Sequence, residues 1–600
     1  MIINQGEDKG VIIYESDDFI GLVPGYSSSL YPKIGKGASW LSGINPFLYG
    51  PGILSPGLLG TALTNAADNI SALINSAVVE RTATNAQYWM IEAGTKIHQI
   101  SSNSPYTISV TSPFPYTLGG GVGKHYTFTV TSASATVGAT YTNNSQTFTV
   151  LATIASETTL YMGGTGAPAA SGTLTKSTGT GDATIAFSAA AVHASPVGED
   201  IITFNISGTE YVLYSYNDAT DGDVGRITVV ANNSYTAADF NDAWFSSATG
   251  GALLNKSVPH PMIIGDDQKL YIADLASSGT LSKLWQVSDT GTITSYTTVV
   301  PRNYAIRAFA KTGLQLIIFA NKIKGSSSGV NEKGDAIAIF WDGSSQDPDI
   351  IYNLNDNEVT AGFNFGGIIG CFTTGRSNEF ASIGYRSKLQ IFEGGRFIPK
   401  FNFSQSTPGY GGFDIVNNML CWNSGGVVYS YGSPYPELPV RVNSINIGAS
   451  TSNGFLKSLN GLEIYLSTGS AGNNEVFKQA ATHYASAAWK GLNAEPIFPE
   501  GKRGKVEQIE VCFYEAASSG RAITLTLDTN FGTTHTILDA LLTVTAGKNI
   551  IYRRVNSTSG TLPFFNVLKP TVQYATGSGS GISPIIRYIK IYFSHQNIVY

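Results

Sequence analysis

Apolar residues along this chain come in short runs, rich in β-branched and aromatic side chains and bounded by Gly, Asn, Asp and Ser. The stretch Phe365–Asn402 shows the pattern most fully. An apolar run is followed by a polar turn, a second run ending in Ile383-Gly384-Tyr385, then Leu389-Gln390-Ile391-Phe392 and the turn Glu393-Gly394-Gly395. This is strand–turn–strand patterning. Related units recur at Ala86–Ile100, Ile201–Val230, Met262–Val287, Ile306–Gly343, Gly412–Gly432 and Phe455–Gln479. Short strands repeated at a loose spacing of tens of residues predict a β-propeller of six or seven blades, with six preferred.

Three stretches break the pattern. Residues 101–192 hold only four charged residues, Lys124, Glu157, Lys176 and Asp182. They alternate at period two in Tyr126–Val130, Gln146–Val150 and Ala183–Phe187, which predicts a small β-domain inserted into the first blade. Residues 480–600 carry alternating strands without blade spacing (Lys505–Phe513, Ala522–Asp528, Asn549–Val555, Val567–Tyr574, Ile585–Phe593), as in an antiparallel β-sandwich. Residues 1–64 are loop-rich and read as an extended arm that must lie on its own domain or on a neighbouring subunit. Within Ala66–Val79, Ile70, Leu73, Ile74, Ala77 and Val78 share one helical face, which predicts a helix. The expected organisation is therefore all-β: an arm at 1–64, a propeller at 65–100 and 193–479, an inserted domain at 101–192 and a sandwich at 480–600.

Composition agrees with many strands and tight turns: 66 Gly, 31 Tyr and 29 Phe in 600 residues, with 13 % charged residues. Disordered chains have the reverse balance. A net charge of −6 opposes a nucleic-acid partner held by general electrostatics. Cys371, Cys421 and Cys512 are too few and too scattered for a disulfide framework and read as buried thiols. The first residues lack a basic segment followed by an apolar one, and no apolar run reaches membrane-spanning length. The expectation is a soluble protein made in the cytoplasm, without membrane insertion.

Motif searching finds letters without context. Gly119–Lys124 lacks the first Gly and the Ser/Thr of a phosphate loop. Asn217–Asp223 gathers three carboxylates but not in calcium-loop order. Ser288-Asp289-Thr290-Gly291 resembles the Asp-box of sialidase propellers but lacks its following aromatic residue. The arginines such a site would need (Arg226, Arg302, Arg307, Arg376, Arg386, Arg396) are not grouped by the sequence. Gly325–Gly329 matches G-x-S-x-G without strand or helix around it. His98, His125, His193, His260, His483, His535 and His595 form no zinc spacing. Lys502-Arg503-Gly504-Lys505 reads as charged protection of a sheet edge or a docking contact. A carboxylate pair for glycoside hydrolysis meets in space and not in sequence, so the 42 acidic residues leave it open. No catalytic, cofactor-binding or metal-ligating residue is assigned, no cofactor is expected, and the chain is read as not an enzyme.

The segments Gly501–Val511 and Gly581–Tyr592 resemble the terminal β-sandwich of tailed-bacteriophage tail proteins. Phe128–Ser132, Val137–Tyr141 and Gly179–Ile185 are similar to small β-modules of phage structural proteins. A Gly/Tyr/Thr-rich propeller also resembles the nozzle proteins of short-tailed phages. The resemblance implies a virion tail component, made in the host cytoplasm: a ring-forming nozzle or tail-tip subunit lining or closing the DNA exit channel. Its implied partners are its own copies in a hexameric ring, other tail proteins such as adaptor and fibres, and DNA passing without specific binding. A second reading is a receptor- or glycan-binding adhesin, with Trp40, Trp244 or Trp489 stacking on sugars. A third is a propeller glycosidase.

Overall fold

The computed structural model describes the strands of residues 9–62, most of 73–446 outside loops such as 324–334, 375–386 and 433–441, and the strands of 456–597. Seven antiparallel sheets form the blades of a propeller. Blade 1 spans 73–117, blade 2 197–241, blade 3 262–296, blade 4 304–353, blade 5 358–403 and blade 6 413–446. Blade 7 takes three strands from 456–483 and its outermost strand from Leu58–Ala62, which pairs Phe477 with Ala62 and Gln479 with Gly60. Among the described residues the blades thus number seven, and part of the expected arm closes the ring. Two further arm strands enter the C-terminal region. Lys9–Tyr14 pairs with Ile586–Asn597, and Ala38–Ser42 pairs with Ala488–Gly491. That region is built of two five-stranded antiparallel sheets. The inserted domain is a closed six-stranded barrel over 124–193, filled by Tyr126, Phe128, Phe148 and Phe187 in edge-to-face and tilted contacts.

The helix expected at 66–79 is corrected: Leu73–Arg81 is the first strand of blade 1. Its ladder with Asn85–Glu92 shifts register between Leu73 and Asn75, a bulge at Ile74. The extra residue moves the apolar set out of phase, so Leu73, Ala77 and Val79 are buried at a spacing that mimics a helical face. The residues before Leu73 in that span lie outside the described residues.

Blades are held together by aromatic packing and by polar pins. Trp89 with Tyr214, Tyr271 with Trp341 and Phe372 with Trp422 are buried between successive blades. Full burial of each such side chain contributes about 2–3 kcal/mol. The pins are polar side chains that satisfy backbone groups of the next blade. Asn321 accepts from the Val359 N–H (2.8 Å) and donates to the Val359 carbonyl (3.1 Å). Asn423 Nδ2 donates to the Phe455 carbonyl (3.2 Å). Asp200 accepts from Met262 N–H (2.6 Å), and Asp414 from Ser458 N–H (2.8 Å).

All three cysteines are free and buried, and burial pushes each thiol up, Cys421 to about 12. A thiol reagent at pH 8 is therefore expected to label none of them in the folded protein and all three in denaturant. Stoichiometric labelling of the folded chain would refute this packing.

Candidate active site on the propeller axis

The first strands of neighbouring blades lie against one another, 73–81 against 197–206 and 304–312 against 358–365. They are the innermost strands. Four of them carry a bulge near their beginning, at Ile74, Glu199, Arg307 and Thr360 in blades 1, 2, 4 and 5. Bulges re-aim side chains and interrupt pairing at sites of this kind.

A cavity of about 320 Å³ runs along the axis. Every blade contributes to its wall from the innermost strand: Asn75, Asp200, Met262, Phe309, Phe363, Asp414 and Lys457 in order. One end is sealed by the segment Pro408–Gly412. Thr360 Oγ1 donates to the Pro408 carbonyl (2.8 Å), the Tyr410 hydroxyl donates to the Glu199 carbonyl, and Leu456 N–H donates to the Gly411 carbonyl (3.0 Å). Gly411 meets blade 1 so closely that a Cβ there would stand 1.7 Å from the Ile74 carbonyl oxygen. The segment therefore touches blades 1, 2, 5 and 7 and crosses the axis.

Charge is concentrated here, in a chain that otherwise carries little. Asp200 is fully buried, yet its two oxygens accept from Asn75 Nδ2 (2.5 Å), Ile201 N–H (2.8 Å) and Met262 N–H (2.6 Å). Those bonds favour the carboxylate, but desolvation outweighs them and pushes the group up to about 6. Glu199 accepts from Asn217 Nδ2 (2.5 Å) and His260 N–H (2.7 Å). Burial, with the neighbouring Asp200 adding to it, still raises Glu199 to about 8. Arg307 is lowered by burial, and its Nε is enclosed without a hydrogen-bond partner among the described residues. Asp414 is half-buried, accepting from Ile415 N–H (2.8 Å) and Ser458 N–H (2.8 Å).

None of the motif residues lines the cavity; Arg307 lies behind its wall, within electrostatic reach of Glu199 and Tyr410. Arg226 stacks on Tyr211, with 4.6 Å to the ring centroid. Asp223 accepts from Val224 N–H (2.7 Å) and Ser246 Oγ (2.6 Å), so it orders the chain and is not a cation ligand. Ser288–Gly291 is the turn between the third and fourth strands of blade 3, with Ser288 Oγ accepting from Thr292 N–H (3.0 Å). His260 is buried between blades, with Nδ1 against the Ala273 carbonyl (2.9 Å). Trp244 is 6 % exposed and cannot stack on a sugar, while the side chains of Trp40 and Trp489 lie outside the described residues. The segments 119–123 and 325–329 also lie outside them. Among the described residues, no three His, Cys, Asp or Glu side chains are placed to hold a metal ion, and no helix is long and apolar enough to cross a membrane.

Glu199, Asp200, Tyr410, Asp414 and Lys457 escaped motif reading. The signal that could have found the charged ones is a charged residue inside the innermost strand of a blade; Tyr410, outside any strand, carries no such signal.

No family model and no curated protein matches the chain. Among solved structures, an exo-β-1,3-galactanase from Phanerochaete chrysosporium aligns at 10 % identity and TM-score 0.29, covering 89 % of this chain and 99 % of that one. A Trypanosoma rangeli sialidase aligns at 9 % and 0.31, covering 88 % and 92 %. The Dos1 propeller aligns at 8 % and 0.34, covering 70 % and 94 %. At these scores no residue of this chain inherits a role.

The expectation of a nozzle or tail-tip subunit without enzymatic activity is corrected. The solved structures named above are a galactanase, a sialidase and another propeller, and none of these three is a tail protein. The expectation rested physically on the lack of any grouping of polar and charged residues, and the axial cavity gathers Asn75, Asp200, Asp414 and Lys457 on one wall. Asn75, Asp200, Asp414 and Lys457 stand on four different blades, too far apart in sequence to be seen together.

Proposed function

We propose that this chain is a carbohydrate-active propeller that cleaves glycosidic bonds in its axial cavity. The observation that carries this is the pair Asp200 and Asp414 on one cavity wall in unequal surroundings. Asp200 is buried and keeps its proton to about pH 6, which suits a donor to a leaving sugar oxygen. Asp414 is half-buried and serves as the second carboxylate, attacking the anomeric carbon or activating water. Phe413, partly exposed on the same wall, offers apolar surface for the face of a sugar ring.

Purified protein is expected to release reducing ends from at least one member of a polysaccharide panel. Asp200→Asn should lower kcat by roughly 10²–10⁴-fold, and Asp414→Asn should be similarly impaired. The wild-type rate should fall as pH rises through about 6, where Asp200 loses its proton. A panel without turnover removes hydrolysis. One observation favours a second reading, glycan binding alone: both Asp200 oxygens are already engaged by the wall. Glycan-array binding without released reducing ends would select that reading.

A further inference from the structure

Lys457 is the contribution of blade 7 to the axial cavity. It is half-buried, and its ammonium stands 5.5 Å from the centroid of the Phe413 ring. Its charge acts on Asp200 across the cavity, but no carboxylate lies within ion-pair distance of it among the described residues. The two acids on the same wall are each tied to backbone amides, Asp200 by Ile201 and Met262 and Asp414 by Ile415 and Ser458. The other cavity lysine differs: Lys311 is neutralised by Asp266 at 3.2 Å. A partly desolvated ammonium without a paired anion, held over an aromatic face, is an attachment point for a negative group on a ligand.

We infer that the axial cavity takes a carboxylated sugar, a uronic acid or another glycan unit bearing an acid group, whose carboxylate pairs with Lys457. The inference rests on the axial cavity being a carbohydrate site. It adds a specificity determinant that acts on binding of the ligand and not on proton transfer.

The test titrates the full chain with D-glucuronate and with D-glucose, following ligand resonances by saturation-transfer NMR or heat by calorimetry. The expected result is tighter binding of glucuronate by about tenfold, the scale of one partly buried ion pair. Lys457→Gln should abolish that preference while leaving the melting temperature in place, and Lys457→Arg should retain most of it. Equal affinity for the two sugars, or a preference unchanged in Lys457→Gln, overturns the inference and leaves the carbohydrate site standing. Binding of neither sugar overturns both.

Discussion

Glu199→Gln is expected to stabilise the protein in alkaline solution and to flatten its stability between pH 5 and pH 8.5. The unfolded chain releases the Glu199 proton near its ordinary value of 4.5, whereas the native chain holds it to about 8. Between those values the native state binds more protons than the unfolded state, so stability falls as pH rises. The contribution is fully present below pH 4.5 and is lost as pH passes through 8. For a shift of this size the loss is about 5 kcal/mol. Asp200 acts in the same sense over a lower window, from its ordinary 3.8 to about 6. His260 acts oppositely. Its pKa is lowered by burial, so its contribution is present above the ordinary imidazole value and fades as the solution is acidified. Gln cannot ionise, but its amide nitrogen would face one of the two donors, Asn217 Nδ2 or His260 N–H, so the variant forgoes one hydrogen bond at every pH. The melting-temperature difference between variant and wild type should shift by several degrees in the variant's favour from pH 5 to pH 8.5. Parallel pH profiles would refute the assignment.

Gly411→Ala should be among the most damaging single changes in the propeller. The added Cβ would lie 1.7 Å from the Ile74 carbonyl oxygen and 2.7 Å from the Asn75 Cα, both main-chain atoms of an innermost strand. Neither can rotate away, so Pro408–Gly412 must back off the axis. That withdrawal breaks the Tyr410 hydroxyl bond to Glu199 and the Leu456 bond to Gly411. A cost above about 3 kcal/mol is expected, in line with overlap at a buried site. The measurement is the melting temperature and the soluble yield. A variant that melts within a degree of wild type would show that the seal is not in close contact with blade 1.

The blades were legible because burial on both faces gives each strand an apolar run, and because Gly and Asn turns punctuate them. Strands such as Leu270–Leu275 and Ala336–Trp341 are buried along their whole length. The blade number was less legible for two local reasons. The bulge at Ile74 gave the first strand of blade 1 a helical periodicity, and the last blade borrows Leu58–Ala62 from hundreds of residues away. The site was hidden by its own construction. Asn75, Asp200, Asp414 and Lys457 share a cavity only because each stands on the innermost strand of a different blade. Nothing in the spacing of four such residues marks them as neighbours, and Arg307 was visible only as one arginine among several.

Closing the ring with Leu58–Ala62 also sets an order of events during synthesis. That strand leaves the ribosome before its partner Glu475–His483, which follows more than 400 residues later. At typical elongation rates the delay is roughly 20–80 s. Lys9–Tyr14 waits longer still for Ile586–Asn597. Through that interval three strands, Ala38–Ser42 with its partner Ala488–Gly491 still to come among them, must avoid pairing with other nascent chains. Crowded polysomes are thus the setting in which this protein is most exposed to tangling, and slowed initiation or a holdase that covers the first sixty residues should raise its yield more than any change within the blades.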